Sequence, residues 1–360
     1  MKFFNVGAMR PATDGARLSA ANDLVQRTLA RHGLVPQAGN AIQQKMPALP
    51  SLNSMLDQFA GATGNADAVD ITMPEDAQFR RDTFTCPAGS RTYRTYIPAS
   101  SVMGVTGVVM MLHGCTQTPE HFATGTGMNV LAEQHRFIVV YPAQSRGGNA
   151  QSCWNWFSRG DQRRGKGEPS ILAGIASSVA KVHGVLRDKT FVAGLSAGAA
   201  MAVILGETYD DVFAAVGAHS GLPTGAAKDV ASAFSAMAGA ALDPGPQPEP
   251  AVSTRTIVFH GTADATVHPS NGAAIARRAA GLNARQSIET ECNGTTAGRR
   301  FTRIISSDLQ GKPIVEYWAI EGQGHAWSGG QASGSYTDAK GPDASAEMIR
   351  FFYNSTDKDL

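Results

Sequence analysis

A serine, an aspartate and a histidine stand in three glycine-containing stretches, each shortly after a run of apolar residues. The stretches are "FVAGLSAGAAMAV" with Ser196, "RTIVFHGTADATVHP" with Asp264 and "EYWAIEGQGHAWSGG" with His325. A serine hydroxyl is a weak nucleophile, and it becomes reactive beside a histidine base that a carboxylate orients. The sequence therefore predicts acyl-transfer chemistry, with Ser196 as nucleophile, His325 as base and Asp264 as orienting acid.

The surroundings of Ser196 are typical of a nucleophile on a sharp turn. An apolar strand precedes Gly194, and an Ala-rich helix follows Gly198. At the apex of such a turn the serine adopts unfavourable backbone angles, and larger residues at the two glycine positions would collide with adjacent elements. The alternative interpretation is an ordinary strand-to-helix turn with an incidental serine.

Other acids and histidines could in principle replace Asp264 and His325. A strand precedes none of the other candidate acids so directly, and the other histidines either precede the acid in the chain or lie too close to it. These competing residues are Asp243, Asp338, Asp343, His219 and His268. A turn residue that caps a helix remains the alternative for Asp264, and a loop histidine with its own hydrogen bond remains the alternative for His325.

Acyl transfer also requires N–H donors for the negatively charged oxygen of the tetrahedral intermediate. The residue after the nucleophile, Ala197, supplies one backbone N–H group. The loop "MMLHGCTQT" follows an early strand, and its Gly114 allows the backbone to turn, so Cys115 N–H is the expected second donor. His113 is expected to support this loop. Cys115 as the nucleophile is a rival prediction, but no strand–turn–helix pattern surrounds it.

Three tryptophans lie near these stretches in a chain with 7% aromatic residues. Trp154 and Trp156 belong to "SCWNWF", and Trp327 follows His325 by two residues. They are predicted to form a substrate-binding wall for an apolar acyl or polymer chain. Packing in the core is the alternative.

The elements that position these residues read as alternating strands and helices. Short apolar runs end in Gly or Pro, as strands buried on both faces do. These runs are "GVVMMLHG", "FIVVYP", "TFVAG", "FAAVGAHSG" and "RTIVFHG", with helical patterns such as "EPSILAGIASSVAKVHG" between them. The pattern predicts an α/β fold with a mostly parallel sheet and helices on both faces. We expect an N-terminal helix and loosely ordered connector over 1–78, a catalytic domain over 79–355, and an insertion over the strand ends at 222–252.

Composition excludes several classes of function. The net charge of +1 gives no basis for a nucleic-acid partner, and no apolar run approaches the length that spans a membrane. No cysteine or histidine spacing indicates a metal site, and the proposed chemistry requires no cofactor. The start "MKFFNVGAMRPATDG" has no apolar core of a signal peptide. The oligomeric state is left open.

Four cysteines, Cys86, Cys115, Cys153 and Cys292, allow three disulfide pairings. Both Cys115 and Cys153 are expected in loops at the carboxyl ends of strands. We therefore predict a disulfide between these two, connecting the oxyanion loop to the aromatic segment.

Seven segments in order resemble one known family, the polyhydroxybutyrate (PHB) depolymerase-like esterases of the α/β-hydrolase superfamily, whose relatives include feruloyl and acetylxylan esterases. The segments are "LHGCTQTPEHFATGTGMNVLAEQHRFIVVYPAQS", "CWNWF", "RGKGEPS", "FVAGLSAGAAMAVILG", "HSGLP", "FHGTADATVHP" and "GHAWSGG…GSYTDAKGPDAS". The likeness covers about 79 to 352. It implies an α/β-hydrolase fold and a Ser-His-Asp serine esterase, with the roles on Ser196, His325 and Asp264.

The resemblance also bears on substrate and location. Secreted polymer-degrading members often carry a separate C-terminal substrate-binding domain, whereas this chain ends soon after its last predicted helix. Oligomers of 3-hydroxyalkanoates, amorphous polyester or small esters are thus the expected substrates. A feruloyl or acetylxylan esterase, or an acyltransferase with the same triad, is the alternative. The family favours an extracellular location, while the missing signal peptide favours the cytoplasm.

Overall fold

Apolar runs of five to seven residues form five of the six strands at the centre of a ten-stranded sheet, and nearly all of their residues are buried. The structure, a computed structural model, describes residues 73–241, 254–281 and 287–353. The strands of the large sheet are β1 (Gln78–Cys86), β2 (Gly89–Ile97), β3 (Gly107–Leu112), β4 (Phe137–Pro142), β5 (Thr190–Leu195), β6 (Ala215–His219), β7 (Arg255–Gly261), β8 (Ile288–Thr296), β9 (Arg299–Ser307) and β10 (Pro313–Ile320). A small parallel pair consists of β11 (Trp327–Ser328) and β12 (Thr337–Asp338).

The strand order is β1-β2-β4-β3-β5-β6-β7-β10-β9-β8. The six central strands, β4, β3, β5, β6, β7 and β10, are parallel to one another. The outer strands on both sides pair antiparallel. The carboxyl ends of the central strands therefore meet at one edge of the sheet, where α/β proteins place their functional groups.

Helices cover both faces of the sheet. The helices are α1 (Pro119–Thr126), α2 (Met128–His135), α3 (Gly167–Val182), α4 (Ala197–Thr208), α5 (Val230–Met237), α6 (Ser270–Gly281) and α7 (Ala344–Tyr353). Alternate residues of β3 point to opposite faces, so Met110 packs in one layer of the core with α3 and α4. Met111 packs in the other layer, with α1, α2 and α7. The predicted mostly parallel sheet with helices on both faces is thus confirmed.

The predicted N-terminal helix and most of the predicted connector lie outside the described residues. The expected insertion at 222–252 is described only as far as residue 241, and that part contains α5. The last residue of α5 contacts the segment after β7, because His268 N donates a hydrogen bond to Met237 O at 2.8 Å. The predicted domain boundaries stay predictions. In the described part of the chain, no helix combines the length and the apolar character that a membrane span needs.

Candidate active site

Ser196 lies on the turn between β5 and α4 with φ 57° and ψ −120°. This left-handed φ is unfavourable for a residue with a side chain, as expected at the apex of a strand-to-helix turn. A Cβ on Gly198 would lie 2.6 Å from His113 O, and one on Gly194 would lie 2.8 Å from Ala199 N. The two glycines are therefore required by close backbone approach, as the sequence predicts.

Asp264 and His325 form a hydrogen-bonded pair at the same edge of the sheet. His325 Nδ1 donates to Asp264 Oδ2 at 2.8 Å, and both side chains are largely buried. The other carboxylate oxygen accepts backbone N–H groups from Thr266 at 2.9 Å and Val267 at 2.8 Å. Because Nδ1 carries the proton, Nε2 of the imidazole is left as the acceptor that a general base needs.

The electrostatics of Asp264 favour the carboxylate form. Burial by itself raises its pKa, but hydrogen bonds from His260, His325 and the Val267 N–H outweigh burial and hold the pKa well below the usual value. The aspartate is thus negative over the range in which a histidine titrates. It can stabilise the imidazolium that forms when His325 accepts a proton.

His260, a neighbour of Asp264, was not among the predicted site residues. Its Nε2 contacts both Val267 O at 2.8 Å and Asp264 Oδ2 at 3.4 Å, and the ring is fully buried. A histidine inside the apolar strand "RTIVFH" was the signal that could have identified it.

His219 supports the loop that follows His325. Its Nε2 accepts the N–H of Ser328 at 3.1 Å, and its ring stacks on Trp327 with centroids 5.3 Å apart. Burial, followed by the nearby His260 and His325, lowers the pKa of His219 to about 3. This histidine is therefore neutral and accepts a hydrogen bond, consistent with its rejection as the base.

Ser196 and His325 line one small cleft. Gly114, Cys115 and Tyr336 are among the other residues around it, and its volume is about 10 Å³, close to the space that one water molecule occupies. The structure thus brings the sequence-predicted serine, histidine and first turn of the oxyanion loop together, with Asp264 behind the histidine.

The loop from Gly114 to Gln117 is fixed by contacts on both sides. Gly114 N donates to Gln117 Oε1 at 2.8 Å, and Thr116 N donates to Gln151 O at 2.7 Å. Cys115 forms a disulfide with Cys153, with a Cα–Cα distance of 4.2 Å, which confirms the predicted pairing.

Two backbone N–H groups near the cleft lack an acceptor of their own. Among the described residues, the N–H of Cys115 donates to no atom. Ala197 is the first residue of α4, where an N–H group has no partner inside the helix. Neither group is therefore committed to a hydrogen bond within its own loop or helix.

The tryptophans differ from the prediction. Trp154, Trp156 and Trp327 are 0%, 5% and 1% exposed, so they offer almost no face to a substrate. Trp154 Nε1 donates to His113 O at 2.9 Å, and Trp327 Nε1 donates to Ser345 Oγ at 3.0 Å. The expected binding wall is corrected to a supporting role, because the three large rings are buried and the N–H groups of Trp154 and Trp327 bond to neighbouring loop and helix residues.

The competing residues have other partners. Asp338 pairs with Arg299, and Asp343 Oδ1 accepts the N–H of Ala346 at 3.0 Å at the start of α7. The exposed His268 contacts Ser270 Oγ at 2.8 Å, and Asp243 lies outside the described residues. Within 73–241, 254–281 and 287–353, no three His, Cys, Asp or Glu side chains group as metal ligands.

Comparisons with known proteins relate the chain to esterases and depolymerases. The family described as Esterase PHB depolymerase matches residues 91–300, more than half of the chain. Poly(3-hydroxyalkanoate) depolymerase C of Paucimonas lemoignei is 32% identical over 233 residues, which cover 61% of this chain and 54% of that protein. The chain thus spans about half the length of that relative. Probable acetylxylan esterase A of Aspergillus clavatus is 30% identical over 243 residues, which cover 60% of this chain and 75% of that protein.

A solved structure shows the same fold. The acetyl xylan esterase from Aspergillus awamori superposes with a TM-score of 0.59 at 20% identity, and the match covers 78% of this chain and 99% of that one. At this identity the likeness concerns the fold alone. Together with the family match, it shows that the chain has the α/β-hydrolase fold and belongs to the esterase PHB depolymerase family.

Proposed function

We propose that the protein is a serine esterase in which Ser196, His325 and Asp264 act as a catalytic triad. The observation that carries the proposal is the 2.8 Å hydrogen bond from His325 to Asp264, beside a cleft that the histidine shares with Ser196. The left-handed backbone of the serine, on a turn flanked by two required glycines, supports the same assignment.

The reaction takes place in two steps. Ser196 Oγ attacks the ester carbonyl carbon while His325 Nε2 accepts the hydroxyl proton, and the imidazolium then gives this proton to the departing alcohol oxygen. In the second step, water attacks the acyl-enzyme, and His325 again accepts and returns a proton as the acid is released. The N–H groups of Cys115 and Ala197 stabilise the oxyanion in both tetrahedral intermediates.

The substrate we propose is a short or amorphous poly(3-hydroxyalkanoate) chain. The family match and the similarity to depolymerase C support a polyester substrate. The second candidate is an acetylated xylan, which the similarity to acetylxylan esterase A favours. Both candidates require the same chemistry at Ser196, so only the substrate can distinguish them.

Replacing the nucleophile tests the chemistry. We expect Ser196→Ala to lower kcat on 4-nitrophenyl acetate by about 10³-fold or more, because covalent catalysis is lost. The melting temperature should remain near that of the wild type. A variant with nearly normal turnover would show that another residue is the nucleophile.

A substrate panel tests the specificity. Hydroxybutyrate oligomers, amorphous PHB, acetylated xylan and methyl ferulate are compared by kcat/KM, with the Ser196→Ala variant as the background rate. Preference for hydroxybutyrate oligomers supports the polyester proposal, and preference for acetylated xylan supports the second candidate. Ester synthesis from added alcohol that outruns hydrolysis would instead identify an acyltransferase.

A further inference from the structure

A second cavity lies beside the proposed active site and is much larger than the cleft at Ser196. Its volume is about 320 Å³, compared with about 10 Å³ for the cleft. Its walls come from β1 and β2, the start of α1 and the segment after β4. None of the residue roles proposed above uses this cavity.

Three arginines make the cavity strongly cationic. Arg81, Arg94 and Arg146 line it, and Glu120 is the one carboxylate that the described residues contribute to its wall. The Arg94 Nε group donates to Glu120 Oε1 at 2.7 Å, which neutralises one of the three positive charges. Arg81 and Arg146 are exposed, and neither forms an ion pair with a described residue.

The pairing of β1 with β2 brings the charges of Arg81 and Arg94 close together. The two residues lie directly opposite each other in the antiparallel β1–β2 pair, so their side chains project from the same face. Like charges at directly opposed positions destabilise a sheet. Because Glu120 offsets the charge of Arg94, an anion in the cavity would mainly neutralise Arg81 and Arg146. A guanidinium group offers donors in the geometry that a carboxylate accepts.

Residues that line the larger cavity also contact the proposed site. Gln117 lines both cavities, and its Oε1 accepts the N–H of Gly114 on the oxyanion loop. Thr116 also lines the larger cavity, and its Oγ1 lies 3.2 Å from the hydroxyl of Tyr336 in the cleft. The 116–117 segment is therefore a wall that the larger cavity shares with the proposed site.

We propose that this arginine cavity binds a carboxylate carried by the ester substrate, namely the free carboxyl end of a short hydroxyalkanoate chain. The inference rests on the proposed esterase function. In such a chain, the carboxylate belongs to the same unit as the alcohol oxygen of the last ester bond. With the carboxylate held by the arginines, Ser196 would attack an ester bond near this end, and water would complete its cleavage to a shorter acid and a hydroxy acid.

A pair of matched substrates tests the proposal. The trimer of 3-hydroxybutyrate is prepared as the free acid and as the terminal primary amide, which has nearly the same shape but no charge. We expect wild-type kcat/KM to be about tenfold higher for the acid, mainly through a lower KM, as a charge-assisted hydrogen bond would produce. Because the contact is solvent-accessible, 0.5 M NaCl should reduce this ratio.

Variants assign the effect to the cavity. Arg146→Gln and Arg81→Gln should each lower the acid-to-amide ratio, and the double variant should bring it close to one. The matched control is Arg277→Gln, which removes the same charge from an exposed site on α6, a helix that packs against β7 and β10. Its ratio should equal that of the wild type.

The outcomes separate this inference from the proposed function. Equal wild-type values for acid and amide, or an Arg146→Gln effect that is the same for both substrates, would overturn the carboxylate site. Hydrolysis of 4-nitrophenyl acetate that Ser196→Ala abolishes would still support the serine esterase in that case. If Ser196→Ala hydrolyses all of these esters as fast as the wild type, the proposed function fails.

Discussion

The turn that carries Ser196 and the loop that carries Cys115 line the same cleft but are stabilised differently. The turn depends on its own sequence neighbours, Gly194 and Gly198, which allow backbone segments to approach closely. The loop depends on residues far along the chain, through a disulfide to Cys153 and a hydrogen bond from Trp154 to the preceding His113. The turn therefore has no room for side chains at its two glycines, whereas the loop is held by individual bonds to residues far along the chain.

The largest expected effect concerns the turn. A Cβ at residue 198 would meet the backbone of Leu112 and His113, which cannot rotate away as a side chain can. We expect Gly198→Ala to lower the free energy of unfolding by about 3 kcal/mol or more. The measurement is urea unfolding followed by circular dichroism.

Gly281→Ala is the matched control for this change. Gly281 ends α6, and among the described residues no atom outside its chain neighbours and its own helix lies within 4 Å of an added Cβ. Stability should change by about 1 kcal/mol or less there. If both substitutions change the free energy of unfolding equally, the turn tolerates a side chain at residue 198, and close backbone approach does not require glycine there.

The same difference explains what the sequence could predict. Short apolar runs bounded by glycine identify buried strands, and residues after parallel strands converge, so Ser196, Asp264 and His325 could be predicted to lie together. The direction in which Trp154 faces is decided by packing against α3 and α4 and by its hydrogen bond to His113 O, which a local aromatic pattern does not encode. For the same reason, the contact of His260 with Asp264 was not predicted.

The second prediction concerns the disulfide of the loop. Cys115 and Cys153 are 38 residues apart, and closing a loop of this length typically contributes about 2–4 kcal/mol to stability. We expect the free energy of unfolding to fall by about 2–4 kcal/mol when Cys115 and Cys153 are both changed to serine. A displaced Cys115 N–H should also lower kcat by up to about 100-fold, with little change in KM.

Cys292→Ser, an exposed position on β8 without a disulfide, is the control for the cysteine changes. It should leave both stability and kcat at wild-type values. If the double variant keeps wild-type kcat, hydrogen bonds alone position the loop.

The third prediction concerns two buried histidines and the dependence of stability on pH. His113 accepts the N–H of Gln144 at 3.1 Å, and burial lowers its pKa to about 4, while burial lowers the pKa of His219 to about 3. The unfolded chain binds protons near pH 6.5 at both residues, so acidification favours unfolding. Between about pH 6.5 and pH 4, the free energy of unfolding should fall by up to about 1.4 kcal/mol per pH unit for each histidine.

Urea unfolding at pH 7, 6 and 5 measures this dependence. His219→Gln removes one of the two titrating groups, so its slope against pH should be smaller than the wild-type slope, whatever its stability at pH 7. Identical slopes would mean that His219 is not held neutral in the folded protein.

The smallest expected effect belongs to Trp154, and it tests whether the buried tryptophan acts on the loop or on the substrate. Trp154→Phe removes the hydrogen bond to His113 O and leaves that carbonyl without the indole donor. The loss should cost about 1–2 kcal/mol of stability. Since the ring is fully buried, kcat/KM should fall by the same small factor for 4-nitrophenyl acetate and for a hydroxybutyrate trimer. A loss confined to the trimer would show that the ring contacts the polymer chain, and the aromatic segment would then belong to the binding surface that the sequence first suggested.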